Sequence, residues 1–266
     1  MGEDDQGGGV DRGYVKVFRL QDAGRGNHWV PIGGTIFGEN PGDFFGWSLA
    51  MSASGTRIAA GAVGSTGGGV GEFSGHVRIF DFDDDQDAWI QVGSSISGLA
   101  AFDSFGSSVA MSSVGDVLAV GAIGHSNSEQ GVDVGQVRVF HYAGNDTTST
   151  WEPLGQTLVG QNAFDSFGYS VSLSEDGKVL AVGGPRNDEF SESSGHIQVF
   201  ELTSDGTAAG WIHRGSNIGG SYDSPDLFGW SVGLSSNGSR VVGGGPFATF
   251  DGRINDAGAV RIYDVA

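Results

Sequence analysis

A segment of about 20 residues that contains a Phe-Gly pair recurs four times in this chain of 266 residues, and its copies align without gaps. The copies are FFGWSLAMSASGTRIAAGA (44–62), FDSFGSSVAMSSVGDVLAVGA (102–122), FDSFGYSVSLSEDGKVLAVGG (164–184) and DLFGWSVGLSSNGSRVVGGG (226–245). The paired phenylalanines are Phe45, Phe105, Phe167 and Phe228, so the period is about 60 residues. A fixed period of this size is typical of repeat architectures, in which each unit buries its apolar surface against its neighbours.

Two further elements recur with the same period. A strand-like run is present in five copies: GYVKVF (13–18), GHVRIF (75–80), GQVRVF (135–140), GHIQVF (195–200) and GAVRIY (258–263). A run that begins with tryptophan occurs at Trp29, Trp89, Trp151 and Trp211. Each period therefore predicts four short strands, because β-branched and aromatic runs alternate with turns rich in Gly, Asp, Asn and Ser. The first two strands of each unit are joined by Gly-containing turns of β-hairpin length.

The composition supports an all-β chain and excludes several classes of partner. Gly accounts for 49 residues, and each Gly inside a helix costs about 1 kcal/mol relative to Ala. The net charge of −19 repels phosphate, which argues against binding to nucleic acid or to an anionic membrane surface. No run of about 18 apolar residues occurs, so no membrane insertion is expected. The segment Met1–Asp5 lacks the basic and apolar regions of a signal peptide, and the absence of Cys excludes disulfides and thiolate metal sites.

Four antiparallel strands in each repeat are typical of the blades of a β-propeller. With its Phe-Gly pairs and the segments GGP (183–185) and GGGP (243–246), the chain resembles the FG-GAP repeat family, the β-propeller of integrin α-subunits and of many bacterial and algal proteins. The resemblance implies a propeller that binds protein ligands through loops on one face, in an extracellular or secretory compartment. The family's DxDxDG-type calcium loop is missing here, because all four repeats hold only a short turn between their first two strands.

Counting the strands gives two alternatives for the architecture. We predict a single β-propeller domain, 1–266, of four blades with repeat units at about 29–80, 89–140, 151–200 and 211–263, preceded by a partial repeat, 1–28. The N-terminal strands would then close the ring, with Trp29–Ile36 pairing beside Ala259–Tyr263. In the alternative, the chain is a sector of a larger ring, such as one with seven blades.

Two groups of aspartates are candidate sites. Asp43, Asp103, Asp165 and Asp226 each stand two residues before the repeated Phe. They are interpreted either as turn residues whose carboxylates accept backbone N–H bonds or as a ligand-binding ring of carboxylates. The loop DFDDDQDAW places Asp81, Asp83, Asp85 and Asp87 at alternate positions, as in the start of a calcium loop, but without its Gly and its closing Glu. It predicts at most weak Ca²⁺ binding, and no other cofactor is expected.

The remaining candidates do not point to catalysis. The six histidines lack metal-ligand spacing, and no nucleophile or phosphate-binding motif occurs. The four repeated tryptophans are interpreted as packing residues, with sugar platforms as the alternative. The sequons at Asn145 and Asn237 lie in predicted turns. The sequence thus favours a non-enzymatic scaffold that binds a protein. A lectin-like carbohydrate binder is the alternative, a polysaccharide lyase or hydrolase is a remote one, and a homo-oligomer is open.

Overall fold

The computed structural model describes residues 10–22, 26–144, 150–204, 209–220, 225–249 and 256–265. These residues form 20 antiparallel strands and no helix, so the all-β expectation is confirmed. No helix that could cross a membrane is found in the described ranges.

The strands form five sheets that follow one another in chain order. The hairpin sheet consists of β1 (Tyr14–Asp22) and β2 (Asn27–Phe37). The first sheet consists of β3 (Phe45–Met51), β4 (Arg57–Ala62), β5 (His76–Asp83), β6 (Ala88–Gln91) and β7 (Ile96–Ser97). The second sheet consists of β8 (Phe105–Met111), β9 (Val117–Ala122), β10 (Gln136–Tyr142), β11 (Trp151–Pro153) and β12 (Leu158–Val159).

The third sheet consists of β13 (Ser170–Leu173), β14 (Val179–Gly184), β15 (His196–Ser204), β16 (Ala209–His213) and β17 (Ile218–Gly219). The last sheet consists of β18 (Ser231–Leu234), β19 (Arg240–Gly245) and β20 (Ala259–Asp264). In the first, second and third sheets, the predicted fourth strand is broken into two pieces that both pair with the third strand.

Successive sheets pack face to face through the repeated Phe-Gly pair. The phenylalanine of each sheet forms a parallel bridge to a glycine that begins the third strand of the preceding sheet: Gly13↔Phe45, Gly75↔Phe105, Gly135↔Phe167 and Gly195↔Phe228. A Cβ atom on Gly75 would clash with the backbone of Phe105, which explains why glycine recurs at this position. Four apolar clusters, each built from two adjacent sheets, form the core.

A serine hydroxyl completes each of three such interfaces. Ser48 Oγ donates to the Gly106 carbonyl oxygen at 2.7 Å, and Ser108 Oγ donates to that of Gly168 at 2.7 Å. Ser170 Oγ donates to the Gly229 carbonyl oxygen at 2.8 Å. The repeated serine therefore joins neighbouring sheets by a hydrogen bond, in addition to their apolar contacts.

The predicted closure of the ring by pairing of Trp29–Ile36 with Ala259–Tyr263 is wrong. Among the described strands, β2 pairs only with β1, and β20 pairs only with β19. The reason is that Gly13 already occupies the position against Phe45 that Gly258 would need in a closed ring. The hairpin sheet instead buries Val15, Val17 and Ile36 against the first sheet, as a preceding third and fourth strand would.

Within the residues that the structure describes, both ends of the stack are consequently open. Val260 and Ile262 in β20 are 73% and 70% exposed, whereas Val77 and Ile79, at the matching positions of β5, are 0% and 1% exposed. At the other end, Trp29 is 67% exposed, although its counterpart Trp89 is buried. Each of these exposed residues lies where a further sheet would pack.

Candidate functional site

The loops at one end of the strands form a continuous layer, which we define as residues 37–44, 63–74, 98–104, 123–134 and 160–166 and call the loop layer. Backbone hydrogen bonds join its members in sequence. Gly64 N donates to Asp43 O at 3.1 Å, and Phe102 N donates to Glu72 O at 2.8 Å. Gly124 N donates to Asp103 O at 3.1 Å, and Phe164 N donates to Val132 O at 2.9 Å. The layer is therefore held both within each repeat and between repeats.

The four repeated aspartates are buried, and three of them fasten the turns of this layer. Asp43, Asp103, Asp165 and Asp226 are all 1–2% exposed. One carboxylate oxygen of Asp43 accepts backbone N–H bonds from residues 39 and 40 at 2.9 and 2.8 Å. Asp103 and Asp165 accept the equivalent pairs of bonds in their own loops. This is the geometry of the turn interpretation, whereas the ligand-binding ring stays a prediction that no observation tests.

Three of these aspartates also have side-chain partners. Asn187 Nδ2 donates to Asp165 Oδ2 at 2.9 Å. Asp226 Oδ2 lies 3.5 Å from Arg261 Nη2, and Asp103 Oδ1 lies 3.2 Å from His125 Nδ1. Burial by itself would raise the pKa of Asp103, but hydrogen bonds from His125 and from two backbone N–H groups hold that pKa below its ordinary value. Asp103 is consequently ionised at neutral pH, and its carboxylate is held by hydrogen bonds from within the protein.

The second aspartate group does not converge on a common point. Asp81 forms a salt bridge with Arg57 at 2.6 Å. Asp83 Oδ1 accepts the N–H groups of Asp85 and Gln86 at 3.0 Å, so it closes its own turn. Asp87 Oδ1 lies 3.4 Å from Gly33 N. Within the described part of the chain, no group of three or more His, Asp or Glu residues is arranged to hold a metal ion.

A row of buried polar side chains begins the third strand of each complete sheet. His76, Gln136 and His196 occupy the same position and are 1–2% exposed. His76 Nδ1 lies 2.7 Å from Ser65 Oγ, and burial lowers the pKa of both His76 and His196. Both imidazoles are thus neutral at pH 7. Their equivalent positions show that the repeat itself places a buried polar residue at the start of this strand.

The loop layer exposes a pair of stacked aromatic rings that the sequence did not single out. Phe73 and Phe102 are 45% and 59% exposed, and their ring centroids are 6.2 Å apart at an interplanar angle of 16°. Both have left-handed backbone conformations, with φ of 52° and 67°, which are uncommon for bulky residues. Val132 and Phe164, which are joined by the next backbone bond of the layer, are also exposed. Exposed apolar side chains on rigid loops are typical of binding surfaces.

The repeated tryptophans mostly pack between sheets. Trp89 Nε1 donates to Ile32 O at 3.2 Å, and Trp211 Nε1 donates to Leu154 O at 2.8 Å. Both rings are buried and Trp151 is half-buried, so the packing interpretation accounts for these three, while Trp29 is exposed at the open end. Of the sequons, Asn237 lies in an exposed turn, where its Oδ1 accepts a bond from Ser239 N at 3.1 Å. Asn145 lies outside the described residues.

Comparison with known protein families gives a match for one segment of the chain. Residues 159–200 match the family model of the FG-GAP repeat, so the resemblance expected from the sequence is confirmed for that segment. No curated protein matches the chain at a significant level.

One of two reported solved structures has a similar fold at low sequence identity. A putative 6-phosphogluconolactonase from Bacteroides uniformis is 14% identical, with a TM-score of 0.52 over 91% of this chain and 62% of that one. Sqt1 from Chaetomium thermophilum is 14% identical, with a TM-score of 0.46 over 82% of this chain and 42% of that one. The chain thus spans less than two thirds of the length of either protein.

Proposed function

Because the chain carries an FG-GAP repeat, we propose that it is a non-enzymatic binding scaffold, a sector of a β-propeller whose loop layer binds a protein partner. Two observations support the sector. The sheets stack in chain order with both ends open, and the chain matches only 62% of the length of the lactonase-like structure.

The stacked pair Phe73–Phe102 is the observation that carries the binding role. Two large apolar rings stay exposed in the loop layer, although burying each would stabilise the chain by about 1.5–3 kcal/mol. They are also held at positive φ, which costs about 1–3 kcal/mol for each residue. Elsewhere in the repeat, the place of Phe73 is taken by Asp133 and Ser193, which have the same backbone conformation. The backbone therefore does not require an aromatic residue there, and a protein partner that inserts apolar side chains accounts for it.

We expect the double substitution Phe73→Asn and Phe102→Asn to weaken binding at least tenfold while preserving the fold. Asn tolerates the left-handed conformation, so the unfolding midpoint should stay the same or rise. The full chain would be used to select peptides from a random library displayed on phage. Dissociation constants of the selected peptides would then be measured by fluorescence anisotropy against the wild-type chain and the double variant.

Val114→Asn provides the matched control, because Val114 is 75% exposed in the turn between β8 and β9, at the other end of the strands. The proposal is contradicted if selected peptides bind the double variant as tightly as the wild type. Saturable binding on a glycan array that the double substitution removes would support the lectin-like alternative. Turnover on a panel of polysaccharides would contradict the non-enzymatic role.

A further inference from the structure

The outward side of the last sheet has the features with which the other sheets bind a Phe-Gly pair, and no described residue occupies them. We call this surface the C-terminal face and define it by Ser231, Gly244, Gly258, Val260 and Ile262. Val260 and Ile262 correspond to valine and isoleucine residues that are at most 8% exposed in every preceding third strand: Val15, Val17, Val77, Ile79, Val137, Val139, Ile197 and Val199.

The two glycines of the face show where a phenylalanine and its glycine would lie. At Gly61, Gly121 and Gly183, a Cβ atom would clash with the carbonyl oxygen of the glycine in the next Phe-Gly pair. At Gly244, in the same register, a Cβ atom would meet only Ser231 Oγ at 2.6 Å. Gly258 keeps a φ of +74°, close to that of Gly75 and Gly135, but no phenylalanine backbone approaches it among the described residues. The space left is a depression of about 390 Å³ that Trp230 and Pro246 help to line.

The hydrogen-bonding group of the interface is also present. Ser231 matches Ser48, Ser108 and Ser170 in the repeat, each of which donates to the carbonyl of a Phe-Gly glycine. Ser231 is exposed and has no such carbonyl to donate to among the residues that the structure describes. The face is therefore polar where a backbone carbonyl would arrive and apolar where a phenylalanine ring would pack.

We propose that the C-terminal face binds the first hairpin of one more FG-GAP-type repeat, whose Phe-Gly pair is not already packed against another sheet. The four interfaces inside this chain show what covers such a face each time: a Phe-Gly strand. A second copy of the same chain fits poorly, because its repeated phenylalanines are already buried to 3% exposure or less against their own preceding sheets. The face is distinct from the loop layer, so this inference does not depend on the proposed protein binding there.

The test uses the full chain and a labelled peptide with the sequence of residues 164–184, which contains the first hairpin of the third repeat. Saturable 1:1 binding is expected by fluorescence anisotropy. Gly244→Ala should weaken it at least tenfold, because its methyl group would occupy the place of the incoming carbonyl oxygen, whereas in the free chain it requires only that the Ser231 hydroxyl rotate away. A peptide carrying Phe167→Ser and Gly168→Ala should not bind. Val114→Asn, and the pair Phe73→Asn and Phe102→Asn, should leave binding unchanged.

A second variant covers the case in which the free peptide does not form a hairpin. In this variant, a second copy of residues 205–264 is fused after Asp264, so that its Phe-Gly strand is held at high local concentration beside the C-terminal face. Gly244→Ala is introduced only in the original copy. This fused chain should melt at a higher temperature than the parent, and Gly244→Ala should remove that gain. The proposal is overturned if Gly244→Ala changes neither the peptide's dissociation constant nor the melting temperature of the fusion. It is equally overturned if the unmodified chain dimerises and Val260→Asp disrupts the dimer, because the occupant would then be a second copy.

Discussion

Val137→Asp is expected to prevent folding, whereas Val260→Asp, at the same position of the repeat, should leave the free energy of unfolding almost unchanged. Val137 is completely buried and packs in the cluster that contains Phe167 and Leu158. An unpaired polar group buried there costs about 2–7 kcal/mol, and the lost burial of the valine adds about 1.5–3 kcal/mol. Their sum approaches the whole stability of an ordinary domain, which is about 5–15 kcal/mol.

Val260 occupies the same position as Val137, but no described sheet packs against it. Its side chain is 73% exposed, so an aspartate at this position stays hydrated and the substitution removes few apolar contacts. Urea denaturation followed by circular dichroism would compare both variants with the wild type. If Val260→Asp unfolded the chain as Val137→Asp does, the last sheet would be covered and the open stack would be wrong.

Phe105→Ala is expected to lower the free energy of unfolding by about 3–5 kcal/mol, the usual cost of removing a fully buried phenylalanine ring. Phe105 is 0% exposed, lies 6.2 Å from the Phe140 ring in an edge-to-face arrangement, and has the Arg138 guanidinium 5.1 Å from its ring centroid. The substitution removes these contacts together and leaves a cavity between two sheets.

Phe18→Ala is the control for that substitution. Phe18 ends the same repeated motif as Phe140, but it is 50% exposed because no sheet among the described residues packs against this side of the hairpin sheet. Its loss should cost less than about 1 kcal/mol, in the range of surface substitutions rather than core cavities. Calorimetric melting curves for the two variants would contradict the repeat assignment if Phe105→Ala melted within a degree or two of the wild type.

The strands were predictable from sequence because local patterns specify them. The run GQVRVF (135–140) predicts β10 (Gln136–Tyr142), and the apolar run 117–122 is β9. The break in the fourth strand was missed. It falls near Gly93 and Gly155, which adopt φ of 76°, a conformation that glycine permits but that its presence in a strand does not reveal.

Closure of the ring could not be decided by the same reasoning. Val260 and Ile262 belong to a copy of the third-strand motif whose sequence resembles the buried copies. Their exposure depends on whether a neighbouring sheet packs against them, which the motif does not show. One signal was present in the count: five third strands against four Phe-Gly strands leave one third strand without a partner. The sequence prediction placed the N-terminal strands beside this unpartnered third strand. In the structure, Gly13 instead pairs with Phe45, so the N-terminal strands pack on the first sheet.

The candidate site was only partly predictable. Because a repeated Asp before a strand is a strong turn signal, the turn geometry of Asp43, Asp103 and Asp165 followed from the sequence. The exposure of the pair Phe73–Phe102 did not, since the sequence does not show whether a phenylalanine in a loop is buried or exposed. Its exposure depends on a left-handed backbone at both residues, which the sequence does not show. The one available signal was that Phe73 replaces the polar residue found in the other repeats, such as Asp133 and Ser193.

Hydrogen exchange of the β20 amides is the measurement that tests the open stack most directly. Among the described strands, β20 has a partner, β19, on one side only, whereas β10 is paired on both sides, by β9 and by β11 with β12. The amides of Ala259–Asp264 that point away from β19 should therefore exchange at the rate of an unstructured peptide, while those of β10 stay protected. Protection of every β20 amide to the level of β10 in the monomeric chain would show that another strand covers this edge, and would contradict the open stack.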